Sequence, residues 1–558
     1  MKANDIVKVC NELKTNWSTR AKQFQDWYDL LLLTNNLHQE DMESVISSDP
    51  RTAYNLALNM LTASTMTHKI PTEGLSQEEV ASTSYLEQYI STQWGRLEQQ
   101  HRRLGRQSWL REMIGLVLAT GWYSVFAWVT DDTLIAEVWN PANVYPSFSS
   151  DGLESCAHIY TLTPTAANRK ARRNNWVLPR PFNADVKVYN YWTYSTSGEV
   201  VNAIVMGNVL VKPLTTLSIT EQKSDRIPIF TSPVAGLPDM GAIKQTSKDW
   251  QKNFGESIVA VGAEEFNNHN KMLTYIQQLV RDTANPRWFE RSRSTKGILN
   301  PQTIFKRGAI FRGTPEDSVE TVPMPAIPVE LRTILFDYGN RIQRCTFPWV
   351  LYGNIQQEMA GYMVSQIASA ALGTLTPYAD AIKGVLADVD NYWLVELRER
   401  KLNTYGFKPP KKLPEFTEFT IDFNINIPGS LVQRATIARM LNPTFKLGFN
   451  TTCDLIFPEV VDPVREQAIA AKDDALTNPI AQTLAMIQTY REQARIYKDA
   501  KDDQAAALFT KAADMLEASI TPQPSPEAAP SPGRPIGTPR GALPSEEVLP
   551  PSPELGGM

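Results

Sequence analysis

The sequence has few of the residues from which metal and catalytic sites are usually built. Its 558 residues include only 4 cysteines and 5 histidines. Cys10, Cys156, Cys345 and Cys453 are far apart and have neither CxxC nor CxxH spacing, so we expect free thiols in a reducing compartment. The histidines have no paired spacing either, and we interpret each as a structural or surface residue. These absences predict that the chain binds no metal and no other cofactor.

The chain also lacks the short motifs that mark common enzymes. It contains no GxxxxGKS/T loop, no GxSxG, HExxH or DFG, and no GxGxxG after a predicted strand. The adjacent carboxylates Glu264 and Glu265, and the pair Asp388 and Asp390, lie on predicted helices at spacings where side chains diverge. We interpret both pairs as parts of solvated helix faces. No enzymatic activity is expected.

Strong charge and long apolar runs are absent as well. The net charge of -5 is small for this length, which argues against a protein coated in nucleic acid. The first residues carry no apolar signal-peptide run. The longest apolar stretch, 113–129, is shorter than the ~20 residues of a membrane span, and Gly121 divides it into a helical and a strand-like half. A soluble protein without membrane contact is therefore expected.

What is present predicts an α+β, mainly helical fold. Residues 1–70 have helical patterns, and a second helical stretch over 77–119 contains a polar elbow at 98–107. From 122 to 211 the period shifts to that of strands. The run NRKARRNN at 168–175 is interpreted as a charged loop between strands, which is either only solvated or in contact with DNA or a partner.

The central region combines two helical segments with a basic insert. Helical spacing extends to about residue 283 and returns at 328–346, whereas 284–326 has too many glycines and prolines for a helix and looks strand-like at ILNPQTIF and GAIF. The segment from Arg281 to Arg312 contains eight Lys and Arg residues and two acidic residues, which gives it a local charge of +6. This insert is interpreted as a protein-docking surface, as a surface near a nucleic-acid backbone, or as both.

The C-terminal third is predicted to be mostly helical. A helix over 363–402 should be kinked by Pro377, because the proline ring removes a backbone hydrogen bond. Residues 416–427 alternate as a strand does, and helices follow to about residue 520. Of the last 38 residues, 11 are proline, so the tail is expected to be disordered.

This order of parts resembles the portal, or head-to-tail connector, proteins of tailed double-stranded DNA bacteriophages. The resemblance covers roughly residues 10–430. It rests on four stretches: MIGLVLATGWYSVFAWVTDDTLIAEVWNPANVYPSFSSDG, GESIVAVGAEEFNNHNKML, KRGAIFRG followed by a helix, and FPWVLYGN before the long helix. It implies a portal-type fold with a wing, paired stem helices, an α/β clip, a tunnel loop, a long kinked helix behind that loop, and a helical crown.

The resemblance also implies where these parts lie. The expected segments are a wing (1–254), a first stem helix (255–283), a clip (284–326), a second stem helix (327–347), a tunnel loop (348–362), the long helix (363–402), a strand returning to the wing (403–430), a crown (431–520) and a disordered tail (521–558). The clip's basic surface would contain Arg287, Arg291, Arg293, Lys296, Lys306, Arg307 and Arg312. The tunnel-loop residues facing DNA would be Asn354, Gln356, Gln357 and Glu358.

A portal protein has no chemistry of its own and acts by shape and charge. The resemblance implies a dodecameric ring at one capsid vertex, through which double-stranded DNA passes without sequence specificity during packaging and ejection. Its partners would be further copies of itself, the terminase motor, a tail adaptor, and the major capsid and scaffolding proteins. It would be found in the virion, and in the host cytoplasm during assembly. The alternatives are another head–tail structural protein such as an adaptor, and an unrecognised enzyme.

Overall fold

The computed structural model of the chain consists of two compact units, Met1–Pro463 and Val464–Met558. Its described residues are 2–34, 44–71, 75–130, 133–216, 225–236, 255–284, 288–292, 312–322, 330–348, 351, 370–400, 404, 418–425, 452, 466–467, 469–471, 479–499 and 503–520.

Helices dominate both units, in agreement with the predicted α+β class. Those that lie fully within the described residues are, in chain order, α1 (Ala3–Asn16), α2 (Ser18–Leu31), α3 (Asp49–Thr62), α4 (Gln77–Arg103), α5 (Trp109–Thr120), α6 (Pro164–Arg173), α7 (Ala263–Ala284), α8 (Glu330–Cys345), α9 (Thr376–Arg400), α10 (Pro479–Asp499) and α11 (Asp503–Ile520). Within the described ranges, no helix is both long and apolar enough to cross a membrane.

The strands belong to the first unit and pair antiparallel. They are β1 (Thr65–Lys69), β2 (Trp122–Val129), β3 (Leu134–Val138), β4 (Val144–Ser149), β5 (Gly152–Leu162), β6 (Val186–Tyr194), β7 (Val200–Met206), β8 (Val209–Thr216), β9 (Ile229–Pro233), β10 (Trp288–Arg291), β11 (Ser318–Thr321) and β12 (Thr420–Asn424). The largest sheet has the order β4-β5-β6-β7-β8, a second has β3-β2-β9, and β1 pairs with β12 and β10 with β11.

The apolar stretch 113–129 forms a core helix that runs directly into a buried strand, as predicted. Gly121 ends α5 in the left-handed region, with φ of 64°, and β2 begins at the next residue. The main core gathers around these elements, α4 and α9, and its largest buried side chains include Trp109 and Trp393. Their indole N–H groups donate to backbone carbonyls of β3. These two indole groups are therefore satisfied by the sheet that the core covers.

A buried arginine joins the N-terminal helices to the sheets. The Arg20 guanidinium carbon lies 4.3 Å from the Trp17 ring centroid and 4.5 Å from that of Trp122. Its Nη2 donates to the carbonyl oxygen of Val144 at 2.5 Å. Burial lowers the pKa of Arg20 to about 10, which still leaves it charged at neutral pH. The two indole rings take the place of a carboxylate partner.

Two local predictions are corrected by the structure, and a third, at Pro377, is not contradicted. Residues 65–69 form strand β1, not helix, because they pair with β12. That partner begins 355 positions later in the chain, so the local periodicity of 65–69 gives no sign of it. The run 168–175 lies mostly within helix α6, because Ala167 and Ala171 give it an apolar face that packs on the sheet. Pro377 lies in the first turn of α9, and the 3-10 turn Gly373–Leu375 separates α9 from the helical residues 370–372, so the helical run is interrupted next to the proline, consistent with the predicted kink.

The second unit contains a helical hairpin of α10 and α11, whereas the sequence pattern predicts one long helix over 479–519. The prediction of helix is confirmed and that of a single helix is wrong, because contacts between the two halves fold the chain back on itself. Tyr497 of α10 stacks on Phe509 of α11, with 5.4 Å between ring centroids. Arg491 forms an ion pair with Glu517. Ala513 is fully buried between the helices. The Pro-rich tail and most of 431–478 lie outside the described residues.

Candidate functional site

Helices α7 and α8 form an antiparallel pair with a small β ribbon between them in sequence. The start of α7 lies against the end of α8, where Phe266 and Ile342 share one buried cluster. Between the helices the chain forms β10 and β11, paired from Trp288 with Thr321 to Arg291 with Ser318. We call α7, β10, β11 and α8 the arm.

The root of the arm is buried in the body of the first unit. Phe266 and Ile342 pack there with Val259, Leu31 and Ala119. Phe266 is 1% exposed and Ile342 is 6% exposed. Burying such side chains contributes about 1.5–3 kcal/mol each. The apolar contacts therefore fix this end of the arm.

Buried polar side chains of α7 dock onto the segment before α3. The Asn270 Oδ1 atom accepts a hydrogen bond from the backbone N–H of Ser47 at 2.8 Å. One turn later, the Thr274 hydroxyl accepts from the N–H of Val45 at 3.0 Å. His269 lies 3.8 Å from Asp49, and burial lowers its pKa, with Asp49 opposing that shift. Together these contacts set the rotation of α7 about its axis.

The chain enters the arm through a close crossing of two glycines. Gly255 and Gly121 both have positive φ, of 70° and 64°. A Cβ atom on Gly255 would lie 2.0 Å from the carbonyl oxygen of Gly121, and one on Gly121 would lie 2.2 Å from the backbone nitrogen of Glu256. That Glu256 N–H donates to Val234 at 2.9 Å, and Tyr378 donates to the Glu256 carbonyl at 2.8 Å. Only glycine permits this backbone approach.

Away from its root, the arm exposes large apolar side chains. Phe336 is 73% exposed and Val280 is 51% exposed, and on the ribbon Phe289 is 52% exposed and Trp288 is 43% exposed. These side chains lie on consecutive elements of one projection, so they are not scattered surface residues. The root of the arm is fixed by packing, whereas its outer part leaves apolar side chains exposed, as surfaces that bind another protein do.

Two of the seven basic residues predicted for the insert lie within the described part of the chain. Arg291 in β10 and Arg312 before β11 are both exposed. The other five, Arg287, Arg293, Lys296, Lys306 and Arg307, lie outside the described residues, as do the tunnel-loop residues Asn354, Gln356, Gln357 and Glu358. The clip and tunnel-loop assignments therefore stay predictions.

Helical spacing located some of the arm's contacts and missed its exposed residues. On α8 the helical spacing of Leu331, Leu335, Tyr338 and Ile342 predicts one apolar stripe, and Ile342 at its end is buried. Phe336 lies off that stripe, and an aromatic residue off the buried stripe is the signal that could have marked the outer surface. On α7, Tyr275 recurs at helical spacing with Phe266 and Leu279, but its side chain is 45% exposed.

The carboxylate pairs differ from their prediction at one position. Glu264 is exposed, as expected, but Asp390 is fully buried and does not belong to a solvated face. Its oxygens accept from the Trp94 indole N–H at 2.8 Å and contact the His68 Nδ1 atom at 2.5 Å. This triad connects β1, α4 and α9. A buried carboxylate with two hydrogen-bond partners is a structural connection.

The described cysteines and histidines have structural surroundings. Cys10 and Cys156 are buried free thiols, as predicted, and burial raises the pKa of Cys10 to about 12. His158 stacks on Trp139 with 3.9 Å between ring centroids, and burial lowers its pKa to about 3, with Lys170 adding to the shift. Within the described ranges, no group of three or more His, Cys, Asp or Glu residues could hold a metal ion.

Comparison with known proteins finds similarity only among solved structures. No family model matches the sequence, and no curated protein matches it. A chain from the neck of a native gene transfer agent particle, computed with C12 symmetry, is 11% identical, with a TM-score of 0.36 over 74% of this chain and 90% of that chain. A chain from the neck of the empty particle, computed with C6 symmetry, is 12% identical, with a TM-score of 0.39 and the same coverage.

A third similar chain comes from the virion of the native gene transfer agent particle. It is 11% identical, with a TM-score of 0.38 over 74% of this chain and 89% of that chain. Because every one of these TM-scores is below 0.5, the three likenesses carry no conclusion about the fold or function of this chain.

Proposed function

We propose that the chain is a structural protein of the head-to-tail region of a tailed, phage-like particle, and specifically the subunit of its portal ring. The ring would surround a channel for double-stranded DNA at one capsid vertex, in the virion and, during assembly, in the host cytoplasm. It would dock first the packaging motor and then a tail adaptor, and would contact the capsid and scaffolding proteins. In this proposal the subunit performs no enzymatic reaction.

The observation that carries the proposal is the arm. A helix leaves the body of the first unit, a two-stranded ribbon follows, and a second helix returns antiparallel to the first. The sequence resemblance implies this order of stem helix, clip and stem helix. The segments 255–283, 284–326 and 327–347 would then be stem, clip and stem.

The outer arm supports an assembly role because it would be poorly stable by itself. An isolated two-stranded ribbon is marginal in water. The exposed Trp288 and Phe289 of the ribbon, and Phe336 of α8, would gain stability by packing on another molecule. Neighbouring copies would supply that surface, because a repeated head-to-tail contact closes into a ring when its rotation allows.

The test is the mass and appearance of the purified full-length protein. We expect a single large homo-oligomer by native mass measurement, and negative-stain class averages with a central hole. An adaptor would also form a ring, so the images must show density for the arm projecting from one face. A monomer at concentrations above those used for microscopy would refute the proposal.

A substitution on the arm tests the same idea at one residue. Phe336→Asp places a charge on the outer arm and should shift the protein from oligomer to protomer in analytical ultracentrifugation. The matched control is Leu104→Asp, since Leu104 is 65% exposed at the end of α4, which is not part of the arm. Equal assembly of the two variants would contradict the role of the outer arm.

A further inference from the structure

Helix α6 is fixed to the five-stranded sheet by an apolar face and an amide clamp. Ala167 and Ala171, one turn apart, are 0% and 1% exposed, and Ala167 packs against Val186, Val188 and Met206 of the sheet. The Asn168 side chain donates to the Phe182 carbonyl at 3.0 Å and accepts from the Phe182 N–H at 2.9 Å. These contacts fix which side of the helix meets the sheet, and therefore which side faces outward.

The outer face of α6 carries arginines. Arg169, Arg172 and Arg173 are exposed at positions i, i+3 and i+4, so they project from one side of the helix within about 6 Å along its axis. Arg180 is exposed on the segment that follows. Within the part of the chain that the structure describes, none of these four has a carboxylate partner. The helix itself contains no acidic residue.

The helix macrodipole accounts for part of this charge but not for all of it. Basic residues in the last turn, here Lys170, Arg172 and Arg173, stabilise a helix through its macrodipole. Lys170 is already engaged, since its ammonium donates to the Tyr160 hydroxyl at 2.6 Å and lies 5.0 Å from that ring centroid. Arg169 and Arg180 lie outside the last turn, and among the described residues neither forms an ion pair that would account for it.

We propose that the arginine face of α6 binds the phosphate backbone of double-stranded DNA without reading its sequence. Arginine matches phosphate oxygens with two parallel hydrogen bonds, and three guanidinium groups on one face can contact successive phosphates. Such contacts position a duplex and carry no sequence information.

The composition of the face favours nucleic acid over an acidic protein. Protein interfaces are built around an apolar or aromatic centre. Besides the arginines, this face presents Asn174 and Asn175, both exposed, and the exposed apolar Val177 lies beyond them. Protein–DNA interfaces are more polar and more positive than protein–protein interfaces, which is the composition seen here.

The test compares two triple variants with the same charge change. Arg169→Gln/Arg172→Gln/Arg173→Gln removes three positive charges from α6. The control, Lys8→Gln/Lys14→Gln/Lys22→Gln, removes three from exposed lysines of α1 and α2. Binding of full-length protein to short fluorescein-labelled duplexes of two unrelated sequences is measured by anisotropy over a range of salt concentrations. Circular dichroism and oligomer mass confirm that both variants fold and assemble as the parent does.

The expected result is a loss confined to the α6 variant and equal for both duplexes. Its affinity at low salt should fall at least about tenfold, and the slope of log K against log salt should flatten by about 2–3, the value for three lost phosphate contacts. The lysine variant should bind within about twofold of the parent, because its charges face no proposed DNA site.

Other outcomes would overturn the assignment. Equal losses in both variants would show a general charge effect, and no loss in the α6 variant would remove the site. If polyglutamate at equal charge displaced the duplex as well as unlabelled DNA does, the face would be an acidic-protein site. The inference does not depend on ring formation, because a chain that remained a monomer would still show the α6-specific loss.

Discussion

Replacing Gly255 with alanine should loosen the crossing at which the chain enters the arm. Gly255 has φ of 70°, which costs an alanine about 1–2 kcal/mol. The new Cβ would also lie 2.0 Å from the Gly121 carbonyl oxygen and 2.9 Å from the Trp122 ring. The carbonyl belongs to backbone held by a hydrogen bond from Val234 at 2.7 Å, so a side-chain rotation cannot relieve the overlap.

The expected loss is the sum of two costs. Overpacking of a well-packed site typically costs about 1–3 kcal/mol. Added to the backbone cost, it gives a decrease in the free energy of unfolding of about 2–5 kcal/mol for Gly255→Ala. Urea denaturation followed by tryptophan fluorescence is a suitable assay, because the fully buried Trp122 lies at the crossing and reports on it.

Gly105→Ala separates the two costs. Gly105 has φ of 69°, almost the same as Gly255, but a Cβ atom there would meet nothing within 4 Å. Its substitution should therefore cost only the backbone component, about 1–2 kcal/mol. If Gly255→Ala lost no more stability than Gly105→Ala, the close approach of the two backbones would be wrong.

Two further predictions concern buried polar groups. Asp390→Ala should lower the free energy of unfolding by about 3–5 kcal/mol, because His68 and Trp94 lose their hydrogen-bond acceptor. The control Asp380→Ala, at an exposed site, should change it by no more than about 0.5 kcal/mol. Equal urea midpoints for the two variants would contradict the buried triad. The pKa of His158, about 3 when folded, lies below its ordinary value of 6.5. The unfolded chain thus gains a proton first, and stability is lost as pH falls from 6.5 towards 3. His158→Phe should reduce the dependence of the free energy of unfolding on pH in this range by up to about 1.4 kcal/mol per pH unit. If the free energies of parent and variant changed equally with pH, this prediction would be wrong.

Sequence patterns located the elements whose own side-chain spacing records which side is buried. The α5 helix, the Gly121 turn and the β2 strand follow from one apolar stretch, because each contacts the same core and its side-chain spacing records that burial. The strand β12 was also expected. Its partner β1 was not, since five residues after a helix carry too little pattern to separate strand from helix.

The candidate site was less accessible to sequence reasoning. A basic insert between two helical segments could be identified from composition. The exposure of Phe336 and the crossing of Gly255 over Gly121 depend on residues far apart in the chain, and no local spacing contains them. Helix α6 was interpreted as a loop because charge masks a short helix when its apolar face is made only of alanines.

By itself, the sequence determined the α+β composition, the positions of most helices and strands, and a central excursion of two helices around a basic insert. Those features follow from hydrophobic period, proline and glycine placement and charge, all of which are local. The tertiary structure decided which of these elements meet. It buried Asp390 against His68, fixed the arm's root with Phe266 and left its outer part exposed, because such contacts join residues that only the folded chain brings together.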